Sequence, residues 1–302
     1  TGENNVAIGR QSQNSNTTGF ANTSVGNFSC LDNTSGIYLT AVGYQALESN
    51  TTGDNNTAIG RRALMSNTTA DNNTAVGALA LDQNTTGESN TATGYFSLKA
   101  NTTGIQNVAT GRDSLFANTT GNFNTALGRS ALQSNTTASN NTSVGYNSLL
   151  SNTTGTNNVA VGANALDANS TGGSNTAIGY NCLTTATSAA GNVGVGRGTL
   201  YSTTTGGYNI GIGLYALYDN TTGAANVGIG QNAAENITTS SDNIAIGRTA
   251  LYNKQTGNPS IAIGYDALRN QTTGGYAVGI GYEAAKAATN ASTFVAIGYR
   301  SQ

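Results

Sequence analysis

The sequence predicts an all-β protein, a parallel β-solenoid (β-roll) of 17-residue coils, and three observations carry that expectation. Glycine recurs every 17 residues from Gly9 to Gly298, giving 18 copies with neither insertion nor deletion. Immediately before these glycines, β-branched residues flank a small one in every copy but one, which is a strand pattern. Asn-Thr-Thr-Gly segments punctuate the intervals and argue against two helices per repeat, because these residue types are poor helix formers. A globular domain absorbs loop insertions at small cost. A stack of coils does not easily absorb a changed coil length, so the unbroken period reads as a structural pitch. Residues 1–302 are therefore one repeat array of 18 coils. Both ends fall inside a repeat without a cap, so the array is expected to be a fragment of a longer fibre protein.

Each coil opens with a strand, as in Asn56-Thr57-Ala58-Ile59-Gly60. The column three before the glycine is always Val, Thr or Ile, and the column directly before it is Ile, Val or Thr except at Leu127. Between them lies a column that is always Ala, Ser or Gly. With a side-chain period of two, the β-branched residues share one face of the strand and the small residues the other. Three residues after the glycine comes a second small column, followed by Leu in 13 of 18 copies, and this pair is expected to form a second buried segment. The Asn four before the glycine (14 of 18 copies) and the Asn seven after it (11 of 17) are expected at corners. Stacked amides there can bond to the coils on either side, and Asn tolerates turn conformations. Thr-Thr-Gly then closes the coil with a glycine suited to positive φ.

Charge placement sharpens this reading. The chain has 12 basic and 14 acidic residues, and none falls in the seven columns made by the Asn-to-Gly strand and the Ala-Leu pair. Random placement would put roughly ten there, so those columns are expected to be buried. A strand uncharged on both faces is expected to be covered on both. One face would line the coil. The other, uniformly small, would allow close backbone approach between chains, which points to a homo-oligomer packed along a shared axis. The alternative is that small columns fit a narrow interior while Thr faces solvent. It suits the first half of the chain, where the upstream β-branched column is mostly Thr.

Composition excludes several functions. A net charge of -2 offers no basic footprint for nucleic acid, and no apolar run is long enough for membrane insertion of this fragment. With no histidine in the chain, the commonest general base and metal ligand is missing. No catalytic residue, metal site or cofactor is expected. Three G-x-G-x-x-A stretches (Gly211–Ala216, Gly228–Ala233, Gly279–Ala284) imitate a dinucleotide fingerprint, but they arise from small repeat columns, without the strand–helix unit a real one opens. Carboxylates are scattered over columns and heights, so no acid–base pair is indicated. Cys30 and Cys182 lie nine coils apart, roughly 43 Å at ~4.8 Å per coil, too far to bridge. They read as buried thiols acting as small hydrophobes. Asn-x-Thr triplets such as Asn67-Thr68-Thr69 and Asn118-Thr119-Thr120 match a glycosylation acceptor, yet the repeat itself generates them.

The column after the repeat glycine holds Tyr44, Tyr95, Tyr146, Tyr180, Tyr265, Tyr282 and Tyr299, and Arg10, Arg61, Arg112, Arg129, Arg197 and Arg248. It is a candidate surface ladder of flat side chains, able to stack on itself, on another chain or on sugars.

The unit Asn-Thr-Ala-Ile-Gly-Tyr/Arg-x-Ala-Leu resembles the head repeats of trimeric autotransporter adhesins and is similar to repeats of bacteriophage tail fibres. Thr57-Ala58-Ile59-Gly60, Val159-Ala160-Val161-Gly162, Ile244-Ala245-Ile246-Gly247 and Val295-Ala296-Ile297-Gly298 carry the likeness. The resemblance implies a homotrimer of left-handed parallel β-rolls, extracellular, on a cell surface or a virion, and built for attachment. The chain departs from the adhesin heads in its longer coil and its Thr-Thr-Gly closure. The expected function is a non-enzymatic shaft or adhesive segment of an extracellular trimeric fibre, in a bacterial surface adhesin or a phage tail fibre. Its partners would be further copies of itself and a host-surface glycan or protein. A different class, an ice-binding β-solenoid, would need Thr-x-Thr in register, and Thr91-Ala92-Thr93 is the only strand that has it. A fibre-borne glycan hydrolase would need a groove with paired carboxylates, for which regular coils leave little room.

Overall fold

A computed structural model describes residues 2–290 and 293–302, and among them there are strands, turns and bends but no helix. The chain is an all-β parallel β-solenoid in two compact units, Thr1–Thr154 and Gly155–Gln302. The first carries strands β1 (Val6–Ile8) to β9 (Thr142–Val144), and the second β10 (Val159–Val161) to β18 (Phe294–Ile297). Within each unit every strand pairs in parallel with the same strand of the next coil. Thr57, Ala58 and Ile59 face Thr74, Ala75 and Val76 in the first, and Ile244, Ala245 and Ile246 face Ile261, Ala262 and Ile263 in the second. Because the register has no stagger, each column of the repeat becomes a ladder of equivalent side chains.

The two faces of the strand are assigned the other way round from the inter-chain expectation. The small column lines the coil: Ala58, Ala75, Ala92 and Ala245 are fully buried. The β-branched columns point outward, half-buried or exposed, with Ile59 at 40% and Ile246 at 37% exposure. The narrow-interior alternative is therefore the one observed. Its physical reason is cross-section. Ala63 and Leu64, both fully buried, occupy the interior from the opposite side, and the strand contributes only residues small enough to meet them. Interior pairs are matched in size and polarity. Ser24 Oγ donates to Ser29 Oγ at 2.7 Å. A Cβ on Gly194 would lie 2.5 Å from Cys182 Sγ, and one on Gly211 2.5 Å from Thr199 Cγ2. Charge-free columns are thus not uniformly buried, and three charged residues outside them, Asp82, Lys254 and Asp266, are.

The Ala-Leu segment is buried as expected, but its backbone is not a strand. In the coil at Gly60, Arg62 (φ 59°) and Leu64 (φ 49°) take left-handed conformations, as Asn55 (φ 57°) does before the strand. Alternating hand turns successive N–H groups to opposite neighbours: Arg62 N–H donates to Tyr44 O in the preceding coil at 2.9 Å, and Leu64 N–H to Ala80 O in the following one at 3.0 Å. The left-handed conformation costs about 1–2 kcal/mol per L-residue. The inter-coil bonds and the burial of Leu64 offset it.

Both glycine columns are explained by close approach, though differently. Gly60 has φ 136°, and a Cβ on it would lie 2.6 Å from Gly77 O. The closing glycine does not need the positive φ expected of it. Gly53 is in an ordinary conformation, and its constraint is the Ala70 carbonyl, 2.4 Å from where a Cβ would stand. Gly257, at φ 104°, is the exception, and it belongs to an irregular coil. Pro259 occupies the position that is left-handed in the neighbouring coils, at Asp242 and Tyr276. Its ring fixes φ near −65°, so the chain must take another path there.

The corner asparagines are buried and bonded between coils. In the first column, Asn56 Oδ1 accepts the Asn73 N–H at 2.9 Å, while Asn56 Nδ2 donates to Ala70 O at 2.7 Å. In the second, Asn67 Nδ2 donates to Asn50 Oδ1 at 2.8 Å and to Ala70 O at 3.0 Å. With both amide hydrogens engaged and the side chain fully buried, Asn67 is closed to glycosylation.

Candidate aromatic and arginine surface

The column after the repeat glycine leaves the strand at its outward end, so its side chains stack at about the coil spacing. In unit 2 the ladder is continuous over four coils. Arg248 lies over Tyr265 at 5.3 Å, Tyr265 stacks on Tyr282 at 5.2 Å, and Tyr282 on Tyr299 at 5.3 Å. Elsewhere it is built of pairs: Arg112 over Tyr95 at 6.0 Å, Arg129 over Tyr146 at 5.7 Å, and Arg197 over Tyr180 at 5.9 Å. Three residues leave the pattern. Arg10 lies over Phe28, and Tyr44 meets the same ring edge-on at 5.9 Å. Arg61 makes no ring contact or ion pair among the described residues: Ala78 follows it in the column, and Tyr44, which precedes it, is turned onto Phe28.

Two further aromatic columns, which the period did not single out, join the ladder. They lie two and five residues after the glycine. Tyr201 and Tyr218 stack at 4.9 Å with 9° between their planes, and Tyr215 meets Tyr218 edge-on at 5.2 Å. Tyr215 also lies 5.8 Å from the Arg197 guanidinium, which is thereby held between two rings. These residues enclose a hollow of about 150 Å³. The signal for it in the sequence is Tyr201 and Tyr218 at one repeat spacing, with Tyr215 close by. In unit 1, Lys99 is similarly placed over Phe96 at 4.8 Å and Phe116 at 5.6 Å.

The titrating groups are governed by burial. Asp82 forms a two-point pair with Arg62, at 3.1 and 3.3 Å. Desolvation still outweighs that pairing and raises its pKa from the ordinary aspartate value. Burial raises Asp219 and Glu235 as well. It pushes both thiols, Cys30 and Cys182, up to about 12, which leaves them as inert small hydrophobes. Asp266 is the contrary case: Lys286 at 2.7 Å and Arg269 at 3.4 Å overcome its burial and hold it low. The G-x-G-x-x-A stretches run from strand into turn, with no helix to receive a pyrophosphate. Among the described residues no three His, Cys, Asp or Glu side chains gather as metal ligands, and no helix is long and apolar enough to cross a membrane. The surface is suited to stacking and hydrogen bonding. No protein-family model matches the chain, and no curated protein matches it.

Proposed function

We propose that the chain is a non-enzymatic shaft and adhesive segment of an extracellular trimeric fibre, of the bacterial surface adhesin or phage tail-fibre kind. The observation that carries this reading is the outward strand face of unit 2. Both outward columns there are Val or Ile in every coil except at Thr176, and Ile210, Ile212 and Ile246 stand 37–39% exposed. A continuous uncharged aliphatic face is a surface that a partner covers. Zero register stagger and repetition along the chain make a second copy, presenting the same face, the matching partner. Three copies is the number implied by the likeness to adhesin heads. The mechanical role follows from backbone and amide ladders that tie each coil to the next within a unit, while the aromatic and arginine surface supplies attachment. Native mass spectrometry tests the assembly. A trimer is expected, with Ile212→Lys plus Ile246→Lys shifting it to monomer, and a monodisperse wild-type monomer would sink the trimer.

Ice binding is the second reading, and it draws on the outward Thr column of unit 1, half-buried at Thr40, Thr57, Thr74 and Thr91. The adjacent outward column is mainly Val or Ile, which breaks a Thr-x-Thr lattice. Thermal hysteresis of the purified chain decides: ice shaping would replace the fibre reading, and its absence would remove this one.

A further inference from the structure

We propose that the hollow walled by Tyr180, Arg197, Tyr201, Tyr215 and Tyr218 binds an acidic saccharide, with Arg197 taking the carboxylate and the rings taking the apolar face of the sugar. The biological use of this site rests on the attachment reading above, but its chemistry rests on four features of the hollow itself.

The hollow exists because Gly198 occupies a position that carries a side chain in most coils. A Cβ there would lie 2.7 Å from the Tyr215 ring, so glycine is what lets Tyr215 lie down as a wall. The hollow is about 150 Å³, well below the few hundred Å³ of a site for a drug-sized ligand, and suited to a single ring.

Arg197 is positioned and unsatisfied. Tyr180 and Tyr215 hold its guanidinium from either side at 5.9 and 5.8 Å, yet it forms no ion pair with a carboxylate among the described residues. A planar guanidinium stacked on rings keeps its N–H edge free for a two-point bond to a carboxylate. The phenol hydroxyls of the four tyrosines likewise form no hydrogen bond among the described residues, leaving them to meet sugar hydroxyls. Tyr201 and Tyr218, stacked nearly parallel, brace one wall against collapse.

A second hollow of about 100 Å³ shares Tyr215 and Tyr218 as walls and adds Glu235. Asn232 Nδ2 donates to Glu235 Oε2, which fixes that carboxylate at the rim. An elongated saccharide can therefore set its acidic group on Arg197 and donate a hydroxyl to Glu235 across the shared aromatic wall. The opposite charges at the two ends select for a ligand that is anionic at one end and neutral at the other.

Isothermal titration of the intact chain with 3′-sialyllactose, its neutral methyl ester and free glucuronic acid tests the assignment. At least one acidic sugar is expected to bind, with the neutral ester weaker by about tenfold, the loss of one charge-assisted pair. Arg197→Gln is expected to weaken the acidic sugar by about tenfold and leave the ester unchanged, and Tyr218→Ala to weaken both. Arg300→Gln, at an exposed arginine paired with Glu283 and six coils beyond Arg197, serves as the control and leaves binding intact. Absence of heat with both acidic sugars, equal affinity for acid and ester, or an equal loss in Arg300→Gln would overturn the site. Native mass recorded on the same sample separates the two readings. A trimer that binds no acidic sugar removes the site and keeps the fibre, while a monomer that binds removes the trimer and keeps the site.

Discussion

Asn84 shows what one corner amide does. Its Nδ2 donates to Asn67 Oδ1 at 3.0 Å and to Gly87 O at 2.9 Å, and its Oδ1 accepts from Asn101 Nδ2 at 2.8 Å. All of this is buried, so Asn84→Ala leaves several polar atoms without partners, at about 1–3 kcal/mol each. A destabilisation of about 3 kcal/mol is expected in urea unfolding. Asn220 occupies the same column, but Ile237 takes the next rung, and Asn220 Oδ1 has no partner among the described residues. Asn220→Ala is therefore expected to cost about 1 kcal/mol less than Asn84→Ala, and equal losses would refute the ladder as the source of corner stability. Lys254 replaces the amide two coils beyond Asn220. Its fully buried ammonium donates to Asn258 O at 2.8 Å, to Ser260 Oγ at 3.2 Å and to Gly274 O. No carboxylate pairs with it among the described residues, and burial lowers its pKa from 10.5 to about 8. Between those two values the unfolded chain holds more protons than the folded one, so stability rises with pH. The thermal midpoint of the wild type is expected to increase from pH 7.5 to 9 more than that of Lys254→Met, and identical slopes would exclude Lys254 as the cause.

At the scale of the coil, the two glycine columns predict opposite tolerances. Gly60→Ala combines a conformation reserved for glycine with a Cβ 2.6 Å from the Gly77 carbonyl, and should cost about 3 kcal/mol or more. Gly53→Ala meets a carbonyl at 2.4 Å but needs no unusual φ. Ala70, Ala138 and Ala189 already sit in its column, buried, so a cost below about 1 kcal/mol is expected. Chemical denaturation of the two variants measures the contrast, and a similar loss in both would show that packing, not conformation, fixes the repeat glycine. The sequence carried much of this coil openly. The 17-residue period, the strand, the corner amides and the buried Ala-Leu pair are all column properties that repetition exposes. Which strand face points inward was not legible, because a column that is small fits an interior and an interface equally well. Nor was the left-handed backbone at positions such as Arg62 and Leu64. There the inter-coil hydrogen bonds dictate the conformation against residue preference: asparagine or glycine marks the Arg62 column only at Asn147, Asn164, Asn181, Gly198 and Asn232, and never the Leu64 column. The sugar-sized hollow escaped for a related reason: its walls come from three columns in successive coils, and only Arg197 and Tyr180 belong to the ladder that the period singled out.

For the molecule as a whole, the absence of register stagger means that stability within a unit is a sum of coil and coil–coil terms. That structure of the energy makes coil length, more than coil number, the quantity the fold protects. Excising residues 57–73 joins Asn56 to Thr74 and restores every column of unit 1 with one coil fewer. Excising residues 57–72 removes one residue less and leaves a coil one residue too long. The side-chain alternation of its strand is then out of step, and a one-residue slip turns the small column outward and the β-branched column into an interior with no room for it. The first deletion is expected to keep the wild-type far-UV spectrum and a midpoint within a few degrees, since only one nearest-neighbour unit is lost. The second is expected to cost several kcal/mol, because at least one corner rung and one interior layer are broken together, and to split the unfolding of unit 1 into two steps. Paired thermal scans of the two variants read the difference. If the out-of-step deletion melted with the in-step one, the coils would be absorbing length changes as loops do, and the invariant period would need a cause other than stacking.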